Sequence, residues 1–165
     1  MGFDKILLIE GVTETKTVQQ FLRKFGKDHK VLLLPMGGGS LINGQDQTET
    51  QLEELKRVTS NIYALIDSER VAAGTPLEQA RQDFQHLCAR VGITCHVLDW
   101  RATENYLSQR AITQVMGPNY SALTPYQARN TVQPIWKKSM NWAIAREMTL
   151  VEIESTDLGL FLKDL

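Results

Sequence analysis

Four short apolar runs constrain the fold of this chain more than any other feature. Each has the length of a strand and is almost uninterrupted by polar residues, which is typical of strands buried on both faces of a parallel sheet. The runs are KILLIE at 5–10, KVLLLP at 30–35, NIYALID at 61–67 and ITCHVLD at 93–99. Parallel strands need crossover connections, so helices are expected between them.

Helical periodicity fills the intervals between the runs. Amphipathic patterns follow the first and second runs, and a stronger helix is predicted over 75–91. Thr75, Pro76 and Glu78 have the pattern of a capping box at its start. These patterns predict a sheet with helices on both faces.

The pattern changes in the last third of the chain. Helices are predicted over about 104–116 and over about 124–147, with Thr124 as cap and Pro125 at the first position of the second. Pro134 should start or kink a helix within that region. The aromatic side chains of Trp136 and Trp142 are expected to pack this appendage against the sheet.

Composition indicates an ordinary globular protein. The chain has 165 residues, of which 42% are hydrophobic, and a formal net charge of −1. We expect an α/β fold with an open, mainly parallel sheet, a core at 1–110 and a C-terminal helical extension at 111–165 packed on it. Cys88 and Cys95 have no metal-ligand spacing and are expected to be reduced thiols. No run is long enough to span a membrane and no signal-peptide pattern is present, so we expect a cytoplasmic protein.

Acidic residues follow three of the four predicted strands, at the edge where open parallel sheets bind ligands. They are Glu10, Asp67, Glu69, Asp99 and Glu104. Glu14 extends the apolar stripe of the first helix toward the same edge, although stabilisation of the helix dipole explains it equally well. Like charges in one place destabilise each other unless cations lie among them, and oxygen ligands favour Mg²⁺ or Mn²⁺.

Three segments resemble a known family. LLIEG followed by ALIDSER resembles the topoisomerase-primase (Toprim) domain, which has a Glu before a Gly after its first strand and an Asp-x-Asp after a later strand. EGVTE has an ExxxE spacing similar to that of Toprim nucleases of the overcoming-lysogenization-defect (OLD) type, and RATENYL resembles their later acidic motif. The chain departs from the family at Asp67-Ser68-Glu69, where a Glu replaces the second Asp.

The resemblance implies hydrolysis of phosphodiester bonds by two Mg²⁺ or Mn²⁺ ions. Glu10, Asp67 and Glu69 would hold one ion. Glu14 and Glu104 would contribute to binding the second ion. These five residues are the predicted catalytic and metal-binding set.

The resemblance also raises the question of what binds the substrate phosphate. Relatives often place a lysine there, but this chain has no lysine between Lys56 and Lys137. Arg70 and Arg101 are predicted to contact the phosphate in place of that lysine. Ion pairs with the nearby acids are an equally good interpretation of both arginines. Thr103 is expected to offer its hydroxyl to the site.

The segment PMGGGSLING follows the second run, which is the position of a phosphate-binding loop. It lacks the Gly-Lys-Ser/Thr ending of a P-loop and the GxGxxG order, so a glycine turn is the preferred interpretation. Ser40 is still predicted to contact a substrate phosphate.

The expected function is therefore that of a nuclease module acting on DNA, with RNA as an open alternative. OLD-type proteins join this domain to an ABC-type ATPase, which would be supplied by another chain or by an N-terminal region, and their class includes antiphage systems. A homo-oligomer is also expected. Two rivals stay open: an inactive Toprim-fold module for assembly or sensing, and a receiver-like phosphoacceptor domain, which would need a lysine after a fifth strand.

Overall fold

The sheet has the expected architecture. The structure, a computed structural model, describes residues 2–38 and 45–165. The four strands of its sheet are β1 (Lys5–Ile9), β2 (Val31–Pro35), β3 (Ile62–Ile66) and β4 (Thr94–Val97). All neighbours are parallel, in the order β2-β1-β3-β4. The open parallel sheet is confirmed, and the described residues contain no fifth strand of the kind that a receiver-like fold needs.

Helices cover both faces of the sheet. They are α1 (Val12–Lys24), α2 (Gln45–Val58), α3 (Gln79–Arg90), α4 (Gln109–Met116), α5 (Asn141–Glu147) and α6 (Asp157–Asp164). Alternate residues of β1 point to opposite faces, so Leu7 and Ile9 join the core with α1, whereas Ile6 and Leu8 join the core with α2 and α3. None of the helices in the described ranges is long and apolar enough to cross a membrane.

The C-terminal part packs on the α1 side of the sheet. Trp136, Ile144 and Leu162 are buried in the same cluster as Leu7 and Phe21. The indole N–H of Trp136 donates to Asn141 Oδ1 at 2.7 Å, which satisfies the one polar atom of that buried side chain. The prediction that the two tryptophans pack the appendage against the sheet is confirmed for Trp136, whereas Trp142 is half-buried outside this cluster with Arg146 over its ring.

The predicted start of α3 is wrong. Residues 75–78 are not helical, and α3 begins at Gln79, after Glu78 in an extended conformation. Side chains use the carbonyls that a helix would need: Arg70 Nε donates to the Thr75 carbonyl at 3.0 Å, and Gln82 Nε2 donates to the Leu77 carbonyl at 2.7 Å. The start of the helix is therefore determined by these side-chain hydrogen bonds and not by the local capping pattern.

The predicted helix from Thr124 to Glu147 is also wrong. Two short 3₁₀ turns, Arg129–Thr131 and Lys138–Met140, lie in an irregular segment, and only α5 is α-helical. Pro134 follows a cis peptide bond and neither starts nor kinks a helix. Asn105 Nδ2, from outside this segment, donates to the carbonyl of Thr124 at 2.7 Å and to that of Gln127 at 3.0 Å. This segment, which we call the 124–140 loop, is instead tied to the end of the sheet where the acids lie.

Candidate metal centre

Three carboxylates converge at the carboxyl edge of the sheet. Glu14 lies in the first turn of α1, Asp67 follows β3, and Glu104 lies in a 3₁₀ turn at Thr103–Tyr106. One oxygen from each lies within 4.8 Å of the others. Asp67 is 7% exposed and Glu104 is 3% exposed. Three hard oxygen donors at this separation could share one divalent ion, and we call them the acidic triad.

Glu14 is positioned by Gly11. A Cβ atom on Gly11 would lie 2.4 Å from Glu14 Oε2, so the carboxylate occupies the space that any larger residue would fill. The backbone of Gly11 is extended, with φ −140°, so the glycine is needed for room and not for its conformational freedom.

Asp67 is oriented by Thr103. The Thr103 N–H and hydroxyl both donate to Asp67 Oδ1, at 3.0 and 3.2 Å. Burial raises the pKa of Asp67 well above its usual value, and the charges of Glu10 and Glu104 raise it further. Thr103 fixes one oxygen of this carboxylate and so sets the direction of the other, whereas its own hydroxyl was expected to face the site directly.

Glu104 has an unsatisfied oxygen. Its Oε1 lies 3.3 Å from Lys138 Nζ and 3.8 Å from Arg129 Nε. Its Oε2 is buried without a hydrogen-bond partner among the described residues. An unpaired buried carboxylate oxygen is costly, and a bound cation would remove that cost, so the donor set fits Mg²⁺ or Mn²⁺.

Glu10 and Glu69 do not join the acidic triad, because each has an arginine partner. Both oxygens of Glu10 accept from Arg81, at 3.1 and 3.2 Å. Glu69 Oε2 lies 2.8 Å from Arg101 Nη2, and Glu69 has φ +54°, in the left-handed region. Asp99 is exposed and also lies outside the triad. The grouping of Glu10, Asp67 and Glu69 around one ion stays a prediction, while the structure brings a different set together.

The predicted phosphate-binding residues are only partly positioned for that role. Arg101 lies at the site but is paired with Glu69, which was the alternative reading of this residue. Arg70 donates from Nε to the Thr75 carbonyl. Ser40 lies outside the described residues.

Three cationic residues at the site were missed by sequence reasoning. Arg81 belongs to α3, and Arg129 and Lys138 belong to the 124–140 loop. Burial lowers the pKa of Lys138, but the charges of Glu104 and Glu14 outweigh it and the net pKa is raised. No local pattern marks these residues, because each meets its acid only through the tertiary fold.

A cleft of about 460 Å³ opens beside the triad. Its charged lining comprises Glu69, Arg101, Glu104, Arg129 and Lys138. A cleft lined by both carboxylates and cationic side chains suits a ligand that offers negative oxygens to a metal ion and to basic side chains, as a phosphate group does.

Fold and site together define an open parallel α/β protein with an acidic centre at its carboxyl edge. No family model matches the sequence, and no curated protein or solved structure matches the chain. Assignment to the Toprim family therefore stays a prediction that rests on the resemblance of the sequence motifs.

Proposed function

We propose that this chain is a Toprim-type, metal-dependent nuclease module that hydrolyses phosphodiester bonds. The observation that carries the proposal is the acidic triad, in which buried Glu104 keeps an unpartnered oxygen beside Asp67 and Glu14. The adjoining cleft adds cationic groups within reach of a phosphate bound there.

The roles of the side chains follow from their contacts. A divalent ion on the triad would polarise the phosphoryl group and lower the pKa of a bound water. Thr103 holds Asp67 in one orientation. Lys138 lies 3.7 Å from Glu14 Oε1 and 3.3 Å from Glu104 Oε1, and its side chain is 44% exposed, so its ammonium can also reach a phosphate oxygen in the cleft. The ammonium would stabilise negative charge that develops during hydrolysis.

The resemblance implies a second ion. The carboxylates outside the triad that could hold it are Glu10 and Glu69, which are paired with Arg81 and Arg101.

The expected partners follow from the same resemblance. The proposed substrate is DNA or RNA, and the proposed companion is an ABC-type ATPase, with a role in antiphage defence. A net charge of −1 provides no general attraction to nucleic acid, so binding would depend on the local cations of the cleft and on bound metal. Self-association is also proposed.

Plasmid cleavage tests the proposed activity. Supercoiled DNA is incubated with the protein and Mg²⁺ or Mn²⁺, with and without a candidate ATPase, and single-stranded RNA is tested in parallel. We expect cleavage that chelator abolishes and that Asp67→Asn loses. Asp28→Asn is the matched control, because Asp28 lies in a surface pair with Arg23.

An inactive Toprim-fold module is the second candidate, and a specific observation favours it. Glu10 and Glu69, two of the expected ligands, are neutralised by arginines, and Glu69 replaces the usual Asp. Glu69→Asp distinguishes the two candidates. Failure of wild type and of Glu69→Asp to cut any substrate, with and without the ATPase, would replace the nuclease with the assembly role.

A further inference from the structure

Arg81 binds Glu10 through two hydrogen bonds. Its Nη2 donates to Glu10 Oε1 at 3.1 Å, and its Nη1 donates to Glu10 Oε2 at 3.2 Å. The same Nη1 donates to the Asp67 carbonyl at 2.6 Å. Both partners are largely buried, with 11% of the Arg81 side chain and 15% of the Glu10 side chain exposed. A two-pronged, buried pair of this kind is well held.

Glu10 also accepts a hydrogen bond from the backbone. The N–H of Asp67 donates to Glu10 Oε2 at 3.1 Å, so this one oxygen accepts two hydrogen bonds. Glu10 and Arg81 thus connect the end of β1 to the end of β3 and hold the backbone on both sides of Asp67. The carboxylate of Glu10 is used as a structural acceptor.

The position of the guanidinium opposes a metal ion on Glu10. A Mg²⁺ ion about 2.1 Å from a Glu10 oxygen would lie within about 5 Å of a guanidinium nitrogen, because those nitrogens are 3.1–3.2 Å from the same oxygens. Charges of +1 and +2 at that distance repel strongly in a partly buried site.

The charges around the site also favour a single divalent ion. The carboxylates are Glu10, Glu14, Asp67, Glu69 and Glu104, and the cationic partners are Arg81, Arg101, Arg129 and Lys138. Formally, one negative charge is left over. One divalent ion leaves the site close to neutral, whereas two would leave it with a marked excess of positive charge before substrate arrives.

We infer that Arg81 serves as a fixed cation in place of a second metal ion at Glu10, so that the site takes one divalent ion, on Glu14, Asp67 and Glu104. The inference rests on the proposed function, because it assumes that the triad binds Mg²⁺ or Mn²⁺. Arg81 is a positioning residue here: it neutralises Glu10 and holds the backbone of Asp67, and it does not contact the ion.

Counting bound ions tests this assignment without any measurement of activity. Metal-free protein is titrated with Mn²⁺, and free Mn²⁺ is measured by its electron paramagnetic resonance signal. We expect one ion per chain for wild type and two for Arg81→Met, which keeps the apolar stem and removes the charge. The double variant Arg81→Met, Glu10→Gln should return to one. Arg110→Met, on the surface of the C-terminal part, is the matched control and should stay at one.

Glu10→Gln tests the same assignment from the other side and does not require Arg81→Met to fold. It should still bind one ion, because Glu10 is not a ligand. Loss of binding in Glu10→Gln, or an unchanged single ion in folded Arg81→Met, would overturn the role of Arg81. Two ions bound to the wild type would refute this inference and leave the nuclease proposal intact. If the wild type bound no ion at all, the proposal of a metal-dependent nuclease would be refuted as well.

Discussion

Gly11 and Glu14 share one small space at the start of α1: a Cβ atom on Gly11 would lie 2.4 Å from Glu14 Oε2. The carboxylate therefore folds back over the glycine and toward Asp67 and Glu104. A residue that contributes no side chain thus sets the position of one of the three carboxylates in the triad.

Gly11→Ala should weaken metal binding and leave the fold intact. The extended backbone of Gly11 accepts alanine, but the new methyl group must displace the Glu14 carboxylate, which can move. We expect Mn²⁺ affinity to fall by about tenfold or more, as for other residues that position metal ligands. Gly2→Ala is the control, since a Cβ there has open space. Unchanged affinity in a folded Gly11→Ala protein would contradict the placement of Glu14.

Thr103→Val should also weaken metal binding. The change keeps the size of the side chain and the backbone donor, but removes the hydroxyl bond to Asp67 Oδ1. Affinity for Mn²⁺ is expected to fall about tenfold, as measured by calorimetric titration. Thr113→Val serves for comparison. Thr113 is exposed on a helix, and its hydroxyl accepts a hydrogen bond from Gln109. Equal affinities in the two variants would show that Thr103 does not position Asp67.

Lys138→Met should have opposite effects on stability and on metal binding. Without the ammonium, Glu104 loses its nearest cation, and the free energy of unfolding in chelator should fall by about 1 kcal/mol, a modest value because Lys138 is partly exposed. Mn²⁺ should then bind more tightly, since no side-chain ammonium competes for the carboxylates. Urea unfolding and Mn²⁺ titration measure the two effects. The neighbouring exposed Lys137→Met should change neither, and weaker Mn²⁺ binding in Lys138→Met would contradict the competition.

The C-terminal part should lose stability in acid through Glu152. Hydrogen bonds from Arg110 lower the pKa of Glu152 to about 2, and those from Thr149 and Ser108 contribute further against the opposing effect of burial. Because the folded pKa is below the ordinary value of 4.5, this stabilisation is complete above the ordinary value and is lost as pH falls toward 2.

Urea unfolding across that acid range measures the effect of Glu152. Glu152→Gln should be less stable than wild type at neutral pH and should show a weaker decline in acid. Glu54→Gln, at an exposed pair with Arg57, is the control and should follow the wild-type curve. Parallel curves for wild type and Glu152→Gln would show that the carboxylate is not the group responsible.

The sheet could be predicted because its signal is local. Buried parallel strands need continuous apolar runs, and each run gave a strand in the expected order along the chain. The acids follow the strands directly, so their arrival at one edge needs only the rule that parallel strands end together. Asp67 and Glu104 were identified in this way, and Glu14 was identified by its helical spacing.

Capping patterns predicted the helix starts less well than apolar runs predicted the strands, although capping hydrogen bonds do form in this protein. Thr149 and Glu152 form a reciprocal capping box that no prediction included. At 124–127 the Thr124 N–H does donate to Gln127 Oε1, but no α-helix follows, and Asn105 donates to the carbonyls of Thr124 and Gln127. A four-residue capping pattern indicates a turn. Whether that turn continues as a helix depends on residues elsewhere in the chain.

The cations of the site could not be predicted from local sequence. Arg81 meets Glu10, and Lys138 meets Glu104, only after the sheet and the 124–140 loop have come together. The pairing of Glu10 with Arg81 therefore had no sequence signal, whereas the pairing of Glu69 with Arg101 was one of the two interpretations of Arg101. The expected ligand set differs from the observed triad because of these two pairs.

The position of the 124–140 loop has a consequence for how the centre is assembled during synthesis. A ribosome makes the acids first, and by the time Glu104 has emerged every carboxylate of the edge is present without Arg129 and Lys138. Arg81 and Arg101 are already present for Glu10 and Glu69, but Glu104 lacks its cationic partners until the last third of the chain folds over the sheet. A fragment ending near residue 110 would keep all five carboxylates and the partners of Glu10 and Glu69, but it would lack both cations that lie beside Glu104.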